Sequence, residues 1–182
     1  MAVIHDTTMH PTKLELLARW LPEQAWYSGS GDGLVRAGGF RLDDPDGEVG
    51  IEFMVVTAAD GAAYLAPMTY RGAPRTGADG TLIGRAEHGV LGTRWIYDGE
   101  HDPVLRAQLA ALLRGDVVAQ AQSRSNTADP TVLVRPAGRA SSAQIKRLLR
   151  DGDAPPGNGG YVSAAWRRPD GSNARGIVAS AD

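Results

Sequence analysis

The chain has 182 residues, 42% of them hydrophobic, which sets the expectation of a compact domain with a real core, alone or with a smaller appendage. A net charge of −2, with seventeen scattered arginines against two lysines (Lys13 and Lys146), removes the electrostatic footprint of a nucleic-acid binder. Cysteine is absent, which excludes disulfides, thiolate nucleophiles and cysteine metal sites and fits a reducing compartment.

The opening Met1–Asp6 shows no basic stretch followed by an apolar one, and no apolar run approaches the roughly 20 residues of a membrane span. The expectation is a soluble, cytoplasmic protein without membrane contact. The first helix is signalled by Thr12 as cap and Glu15 three residues on, a reciprocal capping box. Leu14, Leu17, Ala18 and Leu21 then form one apolar stripe, and Pro22 ends it. Trp26–Gly33 reads as a flexible loop opened by two aromatics.

A meander follows. Phe40 and Leu42 alternate with Arg41, and Asp44-Pro45-Asp46-Gly47 is turn chemistry. Val49, Ile51, Phe53 and Val55 share one face at period two, predicting a half-buried strand. Tyr64–Tyr70 is a further strand, and Pro67 predicts that it lies at an edge or carries a bulge. His88–Tyr97 is the next. A second helix begins at Asp102 with Pro103 in its first turn, buries Leu105, Leu109, Leu112 and Leu113, and ends at Gly115. Beyond it, Thr131–Val134 reads as a short strand and 142–150 as a short helix through Ile145, Leu148 and Leu149. Tyr161–Trp166 reads as a last strand before Asp170-Gly171, with the final residues expected to fray.

The candidate chemistry is sparse. His5, His10, His88 and His101 lack the spacing of a zinc set, and His101-Asp102 near Asp98 reads as helix capping. Gly29-Ser30-Gly31-Asp32-Gly33 follows a helix and precedes a strand, the reverse of a dinucleotide loop. No Gly-x-Ser-x-Gly elbow with a following acid and histidine occurs. The aromatics Trp26, Tyr27, Trp95 and Tyr97 admit two readings, a sugar-stacking platform or core.

In order along the chain, Leu21-Pro22-Glu23-Gln24-Ala25-Trp26-Tyr27-Ser28-Gly29-Ser30-Gly31, then Tyr64-Leu65-Ala66-Pro67-Met68-Thr69-Tyr70-Arg71, then Ile83-Gly84, Gly92–Gly99 and His101-Asp102-Pro103, resemble the N-terminal cap of actinobacterial maltokinases and related aminosugar kinases. The resemblance spans residues 10–115. It implies a cystatin-like cap: an α+β fold with a curved antiparallel sheet of about five strands, packed by the helices at 12–21 and 102–114. A small β-rich extension follows.

The division implied is a cap-like domain at 1–118 and a truncated, kinase N-lobe-like extension at 119–182. Gln122-Ser123-Arg124-Ser125-Asn126-Thr127 is similar to the family's phosphate-covering loop, so Ser125, Asn126, Thr127 and the nearby Arg135 are a candidate nucleotide-loop remnant. The family's lysines are missing, one at Ser30 and one in the Val132–Arg135 strand, and the 182 residues do not include a lobe with a catalytic Asp.

The resulting expectation is a non-catalytic protein with no cofactor or metal. It would bind a kinase or glycan-metabolism enzyme in trehalose, maltose or glycogen metabolism. The alternatives are a sugar or sugar-phosphate binder using Trp26, Tyr27, Ser30, Trp95 and Tyr97, and a residual nucleotide binder.

Overall fold

A computed structural model describes residues 9–124, 126–154 and 157–181. Its strands are β1 (Met9–His10), β2 (Val35–Leu42), β3 (Gly50–Thr57), β4 (Ala63–Arg71), β5 (Leu82–His88), β6 (Gly92–Asp98), β7 (Val132–Arg135), β8 (Ala143–Ile145), β9 (Leu148–Leu149), β10 (Tyr161–Arg167) and β11 (Asn173–Ala181). The helices are α1 (Lys13–Trp20) and α2 (Pro103–Arg114). The capping box of Thr12 and Glu15 is formed on α1; Asp102 caps α2, and Gly115 ends it in the left-handed conformation.

The expected five-stranded sheet packed by two main helices, on the cystatin-like pattern, is overturned. Among the described residues one antiparallel sheet of eleven strands dominates, and the helices have eight and twelve residues. The strands after residue 130 join the same sheet as those before it, in the order β1-β5-β6-β4-β3-β2-β10-β11-β8.

The sheet also closes on itself. Segment 143–149 is paired on both sides: Ala143–Ile145 with β11, and Leu148–Leu149 with the start of β4. The backbone between continues both ladders, Lys146 N–H donating to Val178 O and Leu65 N–H to Arg147 O. Hydrogen-bonded neighbours therefore form a ring, β4-β3-β2-β10-β11-(143–149)-β4. The expected helix at 142–150 is thus extended. Its burial alternates, with Ala143, Arg147 and Leu149 buried and Leu148 exposed, because a two-residue period decides which side chains face the core.

Two cores follow from the ring. Phe40, Phe53, Val55, Leu65, Val162, Val178 and Leu149 come from every part of it and pack together with Leu105, Leu109, Leu112 and Leu113 of α2. A face shared by all the staves is the ring's interior. The opposite face of β3 and β4 (Met54, Val56, Tyr64, Met68) packs under Leu16, Leu17 and Trp20 of α1. β3 is therefore buried on both faces, not half-buried, because α1 covers the side that carries Glu52. The chain's last strand does not fray: Ile177, Val178 and Ala179 are buried core.

β4 is not an edge strand. It pairs with β3 along its whole length, while its other side is shared: Ala63–Tyr64 with β9, Met68–Arg71 with β6. Pro67 stands where those two partners diverge. By the period of the ladder its nitrogen faces the same side as that of Leu65, and it has no N–H to leave unpaired in the gap.

Candidate functional site

Three of the four buried carboxylates among the described residues, Glu52, Asp102 and Asp98, take partners from different elements, whereas Asp44 caps its own turn. Glu52 on β3 is 3% exposed and receives the Lys13 ammonium (2.6 Å) and the Tyr70 hydroxyl (2.5 Å) on one oxygen. The Gln122 amide donates to its other oxygen at 2.7 Å. Burial opposes its charge, but Lys13, Tyr70 and the nearby Arg36 outweigh it and hold the carboxyl below its ordinary range. The same burial, with the Glu52 charge, pushes the Tyr70 phenol well up.

Asp102, fully buried, caps α2 through Val104 N–H (3.0 Å) and takes a two-pronged bond from Arg71 (2.9 and 2.8 Å). Thr69 donates to it at 2.9 Å. Burial again opposes its charge, and the Arg71 fork, the capping N–H and the Thr69 hydroxyl together lower its pKa.

The third centre sits in the fork beside Pro67. The Arg147 guanidinium reaches Asp98 at 2.6 and 2.7 Å and Glu100 at 2.6 and 2.9 Å, and its other face lies 4.8 Å from the Trp26 ring centre. Asp98 also caps the short turn before α2 by accepting from Glu100 N–H. Asp98, Glu100 and His101 bring possible metal-ligand atoms within 4.8 Å of one another. Arg147 already holds both carboxylates, so the group is an ion network in which the cation is a side chain.

The residues singled out in the sequence fall on different surfaces. Trp26 is half-buried between Trp20 (5.8 Å, edge-on) and Arg147. Tyr27 is buried 4.6 Å from Tyr64 and donates to Ser30 O at 2.6 Å. Ser30 itself is exposed. The glycine loop around it is packed, not loose: a Cβ on Gly31 would stand 2.0 Å from Ala18 O of α1. Tyr97 is buried, its hydroxyl accepting from Arg75 N–H at 2.7 Å.

Ile96 packs beneath α1, so by alternation its neighbours Trp95 and Tyr97 face the other side of the sheet from Trp26 and Tyr27. The four aromatics do not form one platform. Trp95 opens, half-buried, onto a groove of about 410 Å³ with His10, Pro11, Arg85, Glu87 and Thr93.

The loop similar to a phosphate cover is the tip of a small hairpin, closed by Ala121 N–H to Thr127 O and Asp129 N–H to Ala119 O. Asn126 adopts a left-handed conformation, and Ser125 lies outside the described residues. Gln122 is held between Glu52 and Arg36, and Arg135 is exposed near Gly157 O (3.5 Å) at the far end of β7. Sequence reasoning missed Glu52 and Arg147, and took Gln122 only as part of the loop similar to a phosphate cover. The available signals were a lone acid inside the Ile51–Val56 apolar run, and the cations Lys146 and Arg147 set between Ile145 and Leu148-Leu149.

Residues 20–102, a little under half of the chain, match the family model of the maltokinase N-terminal cap domain. Over that segment the protein resembles the maltokinase cap and carries a maltokinase-related module. The match runs from the last residue of α1 to the cap residue of α2, and so takes in Pro67, Asp98 and Asp102 but not Arg147. No curated protein matches the chain. Among the described residues, no helix is long and apolar enough to cross a membrane.

Proposed function

We propose that this protein is a non-catalytic, maltokinase-cap-like interaction module. Its partner on this reading is a kinase or another enzyme of trehalose, maltose or glycogen metabolism in the cytoplasm. The state of the buried carboxylates favours a structural use: an acid–base catalyst needs a pKa poised near neutrality, whereas Glu52 and Asp102 are shifted down and saturated.

The observation that carries the reading is the β5–β6 hairpin tip. Val90 and Leu91 are 61% and 45% exposed, side by side, on a turn pinned by His88 Nδ1, which accepts both of their N–H groups. Adjacent exposed apolar side chains on a rigid turn fit a protein contact better than a solvent-facing end. The strand holding Pro67 is paired on both sides and offers no such surface.

The test is affinity capture with the tagged chain, comparing the wild type with Val90→Asp/Leu91→Asp. The expected result is recovery of a maltokinase-type kinase or trehalose synthase by the wild type alone, with melting temperatures of the two proteins matched. Recovery of neither enzyme by the wild type overturns the proposal.

A further inference from the structure

We propose a subsite for a neutral pyranose on the open sheet face at the β1–β5–β6 end, with Trp95 as its stacking surface. The strand register assembles it. Arg85 stands directly opposite Trp95, Glu87 opposite Thr93, and His10 opposite Glu87, so an indole and a set of polar groups lie side by side on one face. Over β2–β4 the corresponding face is filled by α2. At this end it forms an open groove of about 410 Å³.

The chemistry of the groove matches a sugar ring in two respects. A pyranose has an apolar C–H face, which the flat indole receives, and a rim of hydroxyls that each donate and accept. The Arg85 side chain is exposed and makes neither a hydrogen bond nor an ion pair among the described residues, so its fork of donors is uncommitted. Glu87 takes the Thr93 hydroxyl at 2.7 Å, which orients the carboxylate and leaves it acceptor capacity for a sugar hydroxyl.

The charges select among occupants. Arg85 and Glu87 lie two residues apart on the same strand face and balance each other. An anion near the arginine meets the carboxylate, and an apolar peptide side chain would strip water from both charges without replacing it. A polyol satisfies donor and acceptor together. This site is independent of the partner-binding reading, because sugar binding is measured on the purified chain alone and uses none of the hairpin-tip side chains.

The experiment is isothermal titration of the full chain with maltose and with methyl α-glucoside. Inorganic phosphate is titrated as a competitor, and Trp95→Ala, Trp95→Phe and Arg85→Ala are run alongside. Millimolar binding is expected, weakened about tenfold by Trp95→Ala and by Arg85→Ala and less by Trp95→Phe. Arg85→Ala alters only an exposed side chain, so it keeps the test valid if Trp95→Ala fails to fold. No binding by the folded wild type up to about 20 mM overturns the site. So does binding that Arg85→Ala leaves unchanged, or maltose displaced by phosphate, which assigns the groove to an anion.

Discussion

The segment from β2 to β6 and the segment from α2 to β11 build one sheet by opposite means. The first is a regular meander: β2, β3 and β4 are eight or nine residues long in full antiparallel register, apart from a bulge near Ala37, and turn chemistry links them. The second is assembled from fragments. β7, β8 and β9 have four, three and two residues, and each is a strand only because a partner lies beside it. The meander supplies most of the hydrogen-bond ladder, and the fragments supply closure. Without them β2 and the first half of β4 would be left unpaired, edges that proteins rarely leave open.

The largest expected effect comes from removing the fragments altogether. A chain ending at residue 118 would lose Val162, Ala164, Trp166, Val178 and Leu149 from the interior core and expose both edges. It is expected to show no cooperative thermal transition by circular dichroism and to self-associate on size exclusion. If residues 1–118 are instead an autonomous unit, the shortened chain melts cooperatively near the full-length temperature, and the contrast between the two segments collapses.

Next in size is Arg147→Ala, which leaves Asp98 (4% exposed) without its cation at the fork of β4. Breaking a buried pair on one side costs about 3–5 kcal/mol, read from urea denaturation midpoints at constant slope. The partner side, Glu100, is one-third exposed and re-solvates, so the lower end of that range is expected. Arg147→Lys keeps the charge but not the fork of donors, and should recover only part of the loss.

Leu149→Ala tests the ring from its apolar side. Leu149 is 5% exposed in the interior core, and truncating a core leucine costs about 2–5 kcal/mol. A smaller loss would mean that segment 143–149 rests against the sheet without sealing it.

Glu52 links the two segments through Gln122 and α1 through Lys13, and its contribution depends on pH. Its folded pKa is depressed, so the unfolded chain binds more protons in the acid range and stability falls as pH drops. The contribution is whole above the unfolded carboxylate value of about 4.3 and is lost as pH descends through the folded value. Asp102 acts with the same sign. The melting temperature is expected to be flat between about pH 5 and 7 and to fall below about pH 4. Glu52→Gln should cost about 1–2 kcal/mol at neutral pH and flatten the acid fall. An unchanged acid slope in Glu52→Gln would remove Glu52 from this role.

The same division decides what was legible in the sequence. Thr12 with Glu15, Asp102 with Pro103 and Gly115, and the alternation of Ile51, Phe53 and Val55 are local signals, and the elements they mark are in place. The closing fragments carry no such local signal. Ile145, Leu148 and Leu149 stand at helical spacing, and the strand period among Ala143, Ile145 and Leu149 is masked because its fourth member, Arg147, is charged. Only the acids that Arg147 meets, about fifty residues earlier, make a buried cation there intelligible. The aromatic candidates were ambiguous for a related reason: whether Trp26 or Trp95 faces solvent depends on which side α1 covers, a tertiary fact. Pro67 was legible as a break in a ladder, but not as the branch point of a strand with two partners on one side.

The smallest expected effect is the sharpest on that helix-or-strand distinction. Leu148 is 43% exposed while its neighbour Leu149 is 5% exposed. On a helix buried through Ile145, Leu148 and Leu149, the stripe at i, i+3 and i+4 would make both leucines core, and a charge at either would be costly. In the strand that closes the ring, adjacent side chains face opposite ways, so Leu148→Lys is expected to stay within about 0.5 kcal/mol of wild type. Lysine is tolerated at such a solvent-facing position, and its stem can lie along the sheet as the leucine does. The measurement is the denaturation midpoint of Leu148→Lys set beside that of Leu149→Ala. Comparable losses in the two variants would return the segment to a helix and reopen the ring, whereas a near-silent Leu148→Lys beside a damaging Leu149→Ala fixes its period at two.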